Sequence, residues 1–385
     1  MDIKKLFEID ELTVFLHGRK VGRLVLTPAG LCAFQYDADF IPDGQSISPF
    51  ALPLGLDVHV AKPAPFDGGF GVFDDSLPDG WGLLLMDRYL RAQGIDPFRL
   101  TALQRLSLVG GGGRGALEYR PESDPGKNAA DGGAAAAVRA EVGFDLDVFA
   151  KEAQKFLKTD DYTGRSLETI YRQGGTSGGA RPKVFLRKDG REWIVKSRAA
   201  EDPGNIGKTE YEYSLLAKDC GIEMPETRLF EERYFGAERF DRTPAGKIHT
   251  ISAAGLLGAD YRAPSLDYTS LLLACVRITG SMAEARKLYL RMVFNVVISN
   301  RDDHAKNFAF LLTEKGWSLS PAYDLLPSRG FGGYHTTTVN GNGNPARSDL
   351  LATADKCGIP RRKAEEIIET VSKKCGDAGM SKVSL

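Results

Sequence analysis

Apolar and polar positions alternate along LTVFLHGRKVGRLVLTPAGLCAFQY (12–36), and Gly18 and Gly30 fall where turns belong. A period of two marks half-buried strands, so this stretch predicts a run of short strands. The pattern then lapses into a Pro/Gly-rich segment through residue 80, which includes FDGGFGVFDDSLPDGWG (66–82). From Gly82 it turns helical, in LLLMDRYLRAQG, and LVGGGGRGALEYRPE (108–122) closes a first, strand-rich subdomain, 1–122. Gly110–Gly113 read as a plain turn before a strand. Periodicity and bulk are both lost over SDPGKNAADGGAAAAVRA (123–140). Such a composition buries too little apolar surface to offset its ordering entropy, so a linker or long loop is expected over 123–143.

Beyond it, FDLDVFAKEAQKFLK (144–158) predicts a helix, and a glycine-rich turn follows at 174–179. PKVFLRK and EWIVKSRA predict two strands joined by Asp189-Gly190, a hairpin dipeptide. TEYEYSLLAKDCGI (209–222) predicts a helix stopped by Gly221, and TRLFEERYFGAERFDR (227–242) another strand pair. From about residue 265 the pattern is mostly helical, in SLDYTSLLLACVRI, MAEARKLYLRMVFNVVIS and IPRRKAEEIIETVSKK. A β-rich block with one helix (144–243) thus precedes a helical block (244–385). A nucleotide-binding lobe ahead of a large helical catalytic lobe has that order.

The chain has 385 residues, enough for two or three domains that each bury a core. With 50 basic and 51 acidic residues, no global field favours DNA or an anionic membrane. Nowhere do 18 consecutive apolar residues occur, so no membrane span is expected. The start, MDIKKLFEID, lacks the apolar core of a signal peptide. Five scattered cysteines without a C-x-x-C pair read as reduced thiols of a cytoplasmic protein.

The densest chemistry lies in NVVISNRDDHAKNFAFLL (295–312), where apolar flanks enclose a polar turn. Asp302 and Asn307 stand five apart. Phosphoryl transfer needs a carboxylate to accept the hydroxyl proton and an amide oxygen nearby for Mg2+, and protein-kinase catalytic loops supply them as D-x-x-x-x-N. A second metal ligand should enter downstream from a strand end, and SLSPAYDLLPS offers Asp324. Lys196 ends the strand-like Trp193-Ile194-Val195, where it could reach nucleotide phosphates. Glu210 could hold it by a charge-assisted pair, with Glu212 as the competitor. GGTSGGARPK (174–183) is no Walker A sequence, yet its glycines would let backbone N–H groups close on phosphate oxygens. The order of these parts predicts an α+β, protein-kinase-like two-lobe fold and an ATP-dependent phosphotransferase.

At FDGGFGVFDDSLPDGWG, GGTSGGARPKVFL, WIVKSRA, AERFDR, ISNRDDHAKNFAF and SPAYDLLPS the sequence resembles the HipA family of toxin serine/threonine kinases, over nearly the whole chain. The strand-rich first region looks like that family's N-terminal subdomain. The resemblance implies Asp302 as catalytic base, Asn307 and Asp324 as Mg2+ ligands, and Lys196 on the phosphates. It implies ATP contacts from His304, Ala305, Lys306, Asn307 and the Tyr323-Asp324 pair. Gly178, Gly179, Ala180, Arg181, Pro182 and Lys183 match the phosphate-binding turn, and Glu238, Arg239 and Phe240 the segment whose backbone holds adenine. Family members autophosphorylate a serine just before that turn; here Thr176 matches, with Ser177 beside it. Family members also pair with a helix-turn-helix antitoxin, through which DNA contact is expected, and their targets are translation proteins, notably aminoacyl-tRNA synthetases.

Two other readings compete. One is a catalytically weak co-repressor that acts with an antitoxin on DNA; it would need none of Asp302, Asn307, Asp324 and Lys196. The other is a phosphotransferase for a small molecule or lipid, but no membrane-facing helix is evident.

Overall fold

A computed structural model describes residues 3–122, 145–159, 165–199 and 201–383. The expected linker, 123–143, lies outside the described residues. The chain divides into two compact units: one runs up to Gly207 and adds Arg228–Thr250, and the other holds Lys208–Thr227 and everything from Ile251.

The first unit opens with the predicted strands: β1 (Glu11–Leu16), β2 (Arg19–Leu26), β3 (Cys32–Tyr36) and β4 (His59–Val60), joined later by β5 (Leu117–Pro121). They form one sheet in the order β4-β3-β2-β1-β5. Leu12, Val14, Cys32, Phe34 and Tyr36 are buried at every second position, as the strand period requires. The Phe73 ring, in helix α1 (Gly71–Asp74), packs on Phe34 and Tyr119 with centroids 5.3 and 6.1 Å away. Helix α2 (Gly80–Ala92) starts two residues before the sequence pattern suggests. The sequence reading leaves α3 (Ala102–Val109) unassigned, although a Thr101/Gln104 capping box starts it.

Helices α4 (Leu146–Lys158) and α5 (Arg165–Gly174) follow, and α5 is likewise unassigned from sequence. Tyr89 of α2 stacks on Tyr171 of α5 at 4.5 Å, and Trp81 meets Phe156 of α4 edge-on at 5.4 Å. Strands β6 (Lys183–Lys188), β7 (Arg191–Lys196), β8 (Thr227–Phe230) and β9 (Tyr234–Glu238) form a second sheet in the order β6-β7-β9-β8. Asp189 and Gly190 both have positive φ, 54° and 74°, the conformation a two-residue hairpin turn requires.

Gly110–Gly113 are more than a plain turn. The buried Asp241 carboxylate accepts from Arg239 Nε at 2.9 Å, from Arg242 Nη1 at 2.8 Å and from the Gly115 amide at 2.9 Å. Arg242 Nη2 in turn donates to the Gly113 carbonyl and Lys247 Nζ to that of Gly111, both at 2.8 Å. Through this cluster AERFDR fastens the first subdomain to the second sheet. Strands β10 (Arg242–Thr243) and β11 (Gly246–Lys247) form a short hairpin, and the chain leaves this unit within β12 (His249–Ser252).

In the second unit, α6 (Ile206–Asp219, which starts at the unit boundary) and α7 (Ala253–Leu257) precede α8 (Tyr268–Thr279) and α9 (Met282–Val297). Leu288, Tyr289, Met292, Val293, Val296 and Val297 of α9 are all buried, so this helix is the unit's core. Strand β13 (Leu266–Asp267) pairs in parallel with β16 (Thr337–Thr338), while β14 (Ala309–Thr313) and β15 (Gly316–Leu319) form a hairpin. Helices α10 (Arg347–Lys356) and α11 (Arg361–Asp377) close the chain. The five cysteines are buried free thiols. Among the described residues no helix is long and apolar enough to cross a membrane.

Burial alone would raise the pKa of Asp241, but the Arg239 and Arg242 charges outweigh it and hold the carboxyl well below the usual range. A depressed carboxyl stabilises the fold above its unfolded pKa, about 4, and that contribution is lost as pH falls further. Asp241→Asn leaves two buried guanidinium groups short of their counter-charge. It is expected to cost about 3–5 kcal/mol near pH 7 in denaturant titrations, with the difference from wild type shrinking below pH 4.

Candidate functional site

In the second unit, α9 delivers the polar loop. Ile298 is fully buried, and Ser299 (φ 55°) turns the chain out of the helix. Phe308, Ala309 and Phe310 re-enter the core on the far side, so both flanks of the loop are anchored by burial. Between them, the two adjacent aspartates differ completely: Asp302 is exposed, whereas Asp303 is 0 % exposed.

The Asp303 carboxylate accepts from Tyr268 Oη, His335 Nδ1 and the Thr336 amide, each at 2.9 Å, and from the Thr337 amide at 3.2 Å. Burial, reinforced by the Asp303 charge, pushes the Tyr268 hydroxyl well above its ordinary pKa, so it stays a donor. Tyr268 Oη accepts from Asn295 Nδ2 at 3.0 Å, and Asn295 Oδ1 accepts from Asn300 Nδ2 at 3.0 Å. Asn300 Nδ2 also donates to the Asp324 carbonyl at 3.1 Å. Asp324 has φ 59°, uncommon for a residue with a Cβ, and this bond helps hold it there.

Asn307 Nδ2 donates to the Asp302 carbonyl at 2.6 Å, which leaves the carboxamide oxygen as its acceptor end. His304 Nδ1 accepts from the Lys306 amide at 3.2 Å, and Ala305 is buried. Lys306 Nζ lies 3.8 Å from the centroid of the Tyr261 ring, and its carbonyl accepts from Tyr323 Oη at 2.6 Å. Six of the expected residues (Asp302, His304, Lys306, Asn307, Tyr323 and Asp324) thus belong to one bonded loop system. Among the described residues no three His, Cys, Asp or Glu side chains gather as a metal site. Asn307 and Asp324 offer two hard oxygen donors, which suits Mg2+ sharing its coordination with phosphates and water.

In the first unit the glycine-rich turn follows α5. Gly178 and Gly179 are exposed, and Gly179 has φ +84°, a conformation that favours glycine. Asp79 sits at the N-cap of α2 yet makes no capping bond; its Oδ1 accepts from the Gly179 amide instead. The Trp81 amide donates to the Gly179 carbonyl at 3.0 Å, and Lys183 Nζ to the Gly178 carbonyl. A Cβ on Gly80 would lie 2.6 Å from Gly179 backbone, and one on Gly82 2.1 Å from the Ser177 carbonyl. PDGWG is therefore the surface on which the turn is moulded. Thr176 and Ser177 are buried at 8 % and 4 % exposure, and Ser177 Oγ donates to the Gly174 carbonyl at 2.6 Å.

Arg181 pairs with Asp202 at 2.9 Å, and the Pro182 carbonyl accepts from the Ser197 amide. Lys196 ends β7 with its ammonium 5.7 Å from the Phe235 ring centroid. Glu210 is buried in α6, in the other unit. Glu238 ends β9, and the Arg239 amide donates to the Glu192 carbonyl at 2.7 Å. Arg239's side chain is taken up by Asp241. Sequence reasoning missed Asp79 and the Asp303 network. The one local signal was Asn295, a polar residue inside the apolar run MVFNVVIS.

These features define an α+β chain with a strand-rich N-terminal part and a helical C-terminal part that carries a rigid polar loop. The HipA N-terminal domain family matches residues 12–120 and the HipA-like C-terminal domain family residues 175–378. The chain belongs to the HipA family. It is 28% identical over 155 residues to "Putative kinase Y4dM" of Sinorhizobium fredii, covering 36% of this chain and 37% of that one. It is 22% identical over 169 residues to "Toxin YjjJ" of Escherichia coli, covering 40% and 38%. The matched segments thus span less than two-fifths of either relative's length. The fold is similar to HipA of Shewanella oneidensis MR-1, solved with HipB and operator DNA, with a TM-score of 0.69 at 18% identity. That match covers 95% of this chain and 89% of the other.

If Asp79 moulds the turn, Asp79→Ala should speed hydrogen exchange of the Gly179 amide about tenfold or more, the worth of a bond to a charged acceptor. Mass-spectrometric exchange on the nucleotide-free protein measures it; an unchanged rate would mean that the turn holds its shape without Asp79.

Proposed function

We propose that this chain is an ATP- and Mg2+-dependent serine/threonine protein kinase of the HipA toxin type. The observation that carries this reading is the exposed Asp302 on a loop fixed by the Asp303 bonds and by Asn307. Membership of the HipA family and the kinase name of one relative support it.

In this reading Asp302 accepts the proton of a substrate hydroxyl as the hydroxyl oxygen attacks the terminal phosphorus of ATP, and the bond from that phosphorus to the bridging oxygen breaks to release ADP. Mg2+ would supply charge neutralisation at the phosphates, held by Asn307 Oδ1 and the Asp324 carboxylate. Lys196 would bind phosphate oxygens. Backbone N–H groups from Gly178 to Lys183 are suited to phosphate oxygens. His304, Ala305, Lys306 and Tyr323 would line the nucleotide, and the backbone of Glu238, Arg239 and Phe240 would hold adenine.

Thr176 or Ser177 is the proposed autophosphorylation site. Both are buried, so a phosphate there, about −1.5 to −2 in charge, could not stay in the moulded turn and would drive it out. The protein target is proposed to be translation-related, such as an aminoacyl-tRNA synthetase. A helix-turn-helix antitoxin would inhibit the kinase and carry most of any DNA contact. The toxin name of one relative and the HipB–DNA complex of the structural neighbour support that partnership. The same complex favours the rival reading, a catalytically weak co-repressor that acts with an antitoxin on DNA.

Intact mass after incubation with Mg2+-ATP separates the two. Wild type is expected to gain about 80 Da, one phosphoryl group, mapping to Thr176 or Ser177, while Asp302→Ala gains nothing. An equal gain by both proteins would remove Asp302 as the base, and no gain by wild type would favour the co-repressor.

A further inference from the structure

We infer that Asp303 is a positioning residue: with Tyr268, Thr336 and Thr337 it fixes the main chain on both sides of the base and links it to the metal-binding aspartate. The inference rests on the kinase reading and deepens it.

Three consecutive carbonyls of the loop are held. That of Arg301 accepts from the Thr336 amide at 3.1 Å and from Thr336 Oγ1 at 2.9 Å. That of Asp302 accepts from Asn307, and that of Asp303 accepts from Thr337 Oγ1. The Thr336 and Thr337 amides are themselves fixed by the Asp303 carboxylate. The two threonines therefore donate to the Asp303 carboxylate and to the carbonyls on either side of Asp302. The side chain of Asp302 is exposed while its carbonyl and the two beside it are hydrogen-bonded.

From the same carboxylate a second path runs through Tyr268, Asn295 and Asn300 to the Asp324 carbonyl. Each intermediate side chain is nearly or wholly buried, so each bond is made in a medium where its loss is costly. Packing alone would be better served by apolar side chains. What the polar chain adds is a fixed spacing between Asp302 and Asp324, the base and the metal ligand. Displacements near 1 Å in such a pair are enough to slow a reaction about a hundredfold.

Tyr268→Phe and Thr337→Val each remove one donor at nearly constant volume. Each is expected to lower kcat for phosphoryl transfer about tenfold with KM for ATP changed less than about twofold, and their effects should combine less than multiplicatively because both act through Asp303. Val371→Ala, a cavity in α11 far along the chain from the loop, serves as the stability control. In the nucleotide-free protein, Tyr268→Phe should also speed exchange of the Thr336 and Thr337 amides. If kcat falls no further than in Val371→Ala at the same loss of Tm, the network only stabilises the fold and the inference fails. If wild type transfers no phosphate, the kinase reading fails, and the exchange result alone judges the network: unchanged exchange at Thr336 and Thr337 would overturn it.

Discussion

A carboxylate that folding removes entirely from water must be met by donors, because its unpaired burial costs several kcal/mol or more. Asp303 meets that demand with donors from two distant stretches, Tyr268 in α8 and the segment His335–Thr337. The geometry of the second unit follows from this requirement. Residues separated by more than thirty positions must converge on one side chain, and the loop that carries it cannot adopt another shape without stranding the charge. Hydrophobic burial of Val296–Ile298 and Phe308–Phe310 brings the loop to the core; the carboxylate decides its conformation there.

The first unit applies the same physics at Asp241. Asp241 gathers Arg239, Arg242 and the Gly115 amide, so the strand-rich subdomain and the second sheet share one buried charge cluster. Asp79 forgoes capping its own helix and binds the Gly179 amide instead. The glycine-rich turn is therefore shaped by residues about a hundred positions earlier, and Gly80 and Gly82 are glycines because the turn lies against them. A subdomain recognisable in sequence only by its strand pattern is, in this fold, part of what shapes a proposed phosphate-binding turn.

Local features were the legible ones. The two-residue period gave β1 to β3, Asp189-Gly190 gave its hairpin, and the D-x-x-x-x-N spacing picked out Asp302 and Asn307, which the structure joins by a hydrogen bond. Non-local features were not. Spacing distinguishes Asp302 from Asp303 but says nothing of Asp303's partners, because these come from α8 and from the segment His335–Thr337 that runs into β16. Helix α5 is short and runs straight into Gly174-Gly175, so its Leu167, Ile170 and Tyr171 spacing was overshadowed by the glycines. Gly110–Gly113 looked inert because the groups that grip their carbonyls lie more than a hundred residues away. The chain's likeness to the HipA family was readable from its motifs, since these concentrate where local spacing carries the information.

The polar loop and its downstream aspartate are proposed to hold a metal-bound nucleotide. Calorimetric titration of the full chain with ATP, with and without Mg2+, tests that proposal most directly. One saturable site that depends on Mg2+ is expected for wild type, weakened at least about tenfold by Asp324→Ala, which would remove one of the two proposed protein oxygens on the metal. Absence of any binding heat for wild type at millimolar ATP, together with no shift in Tm, would contradict it.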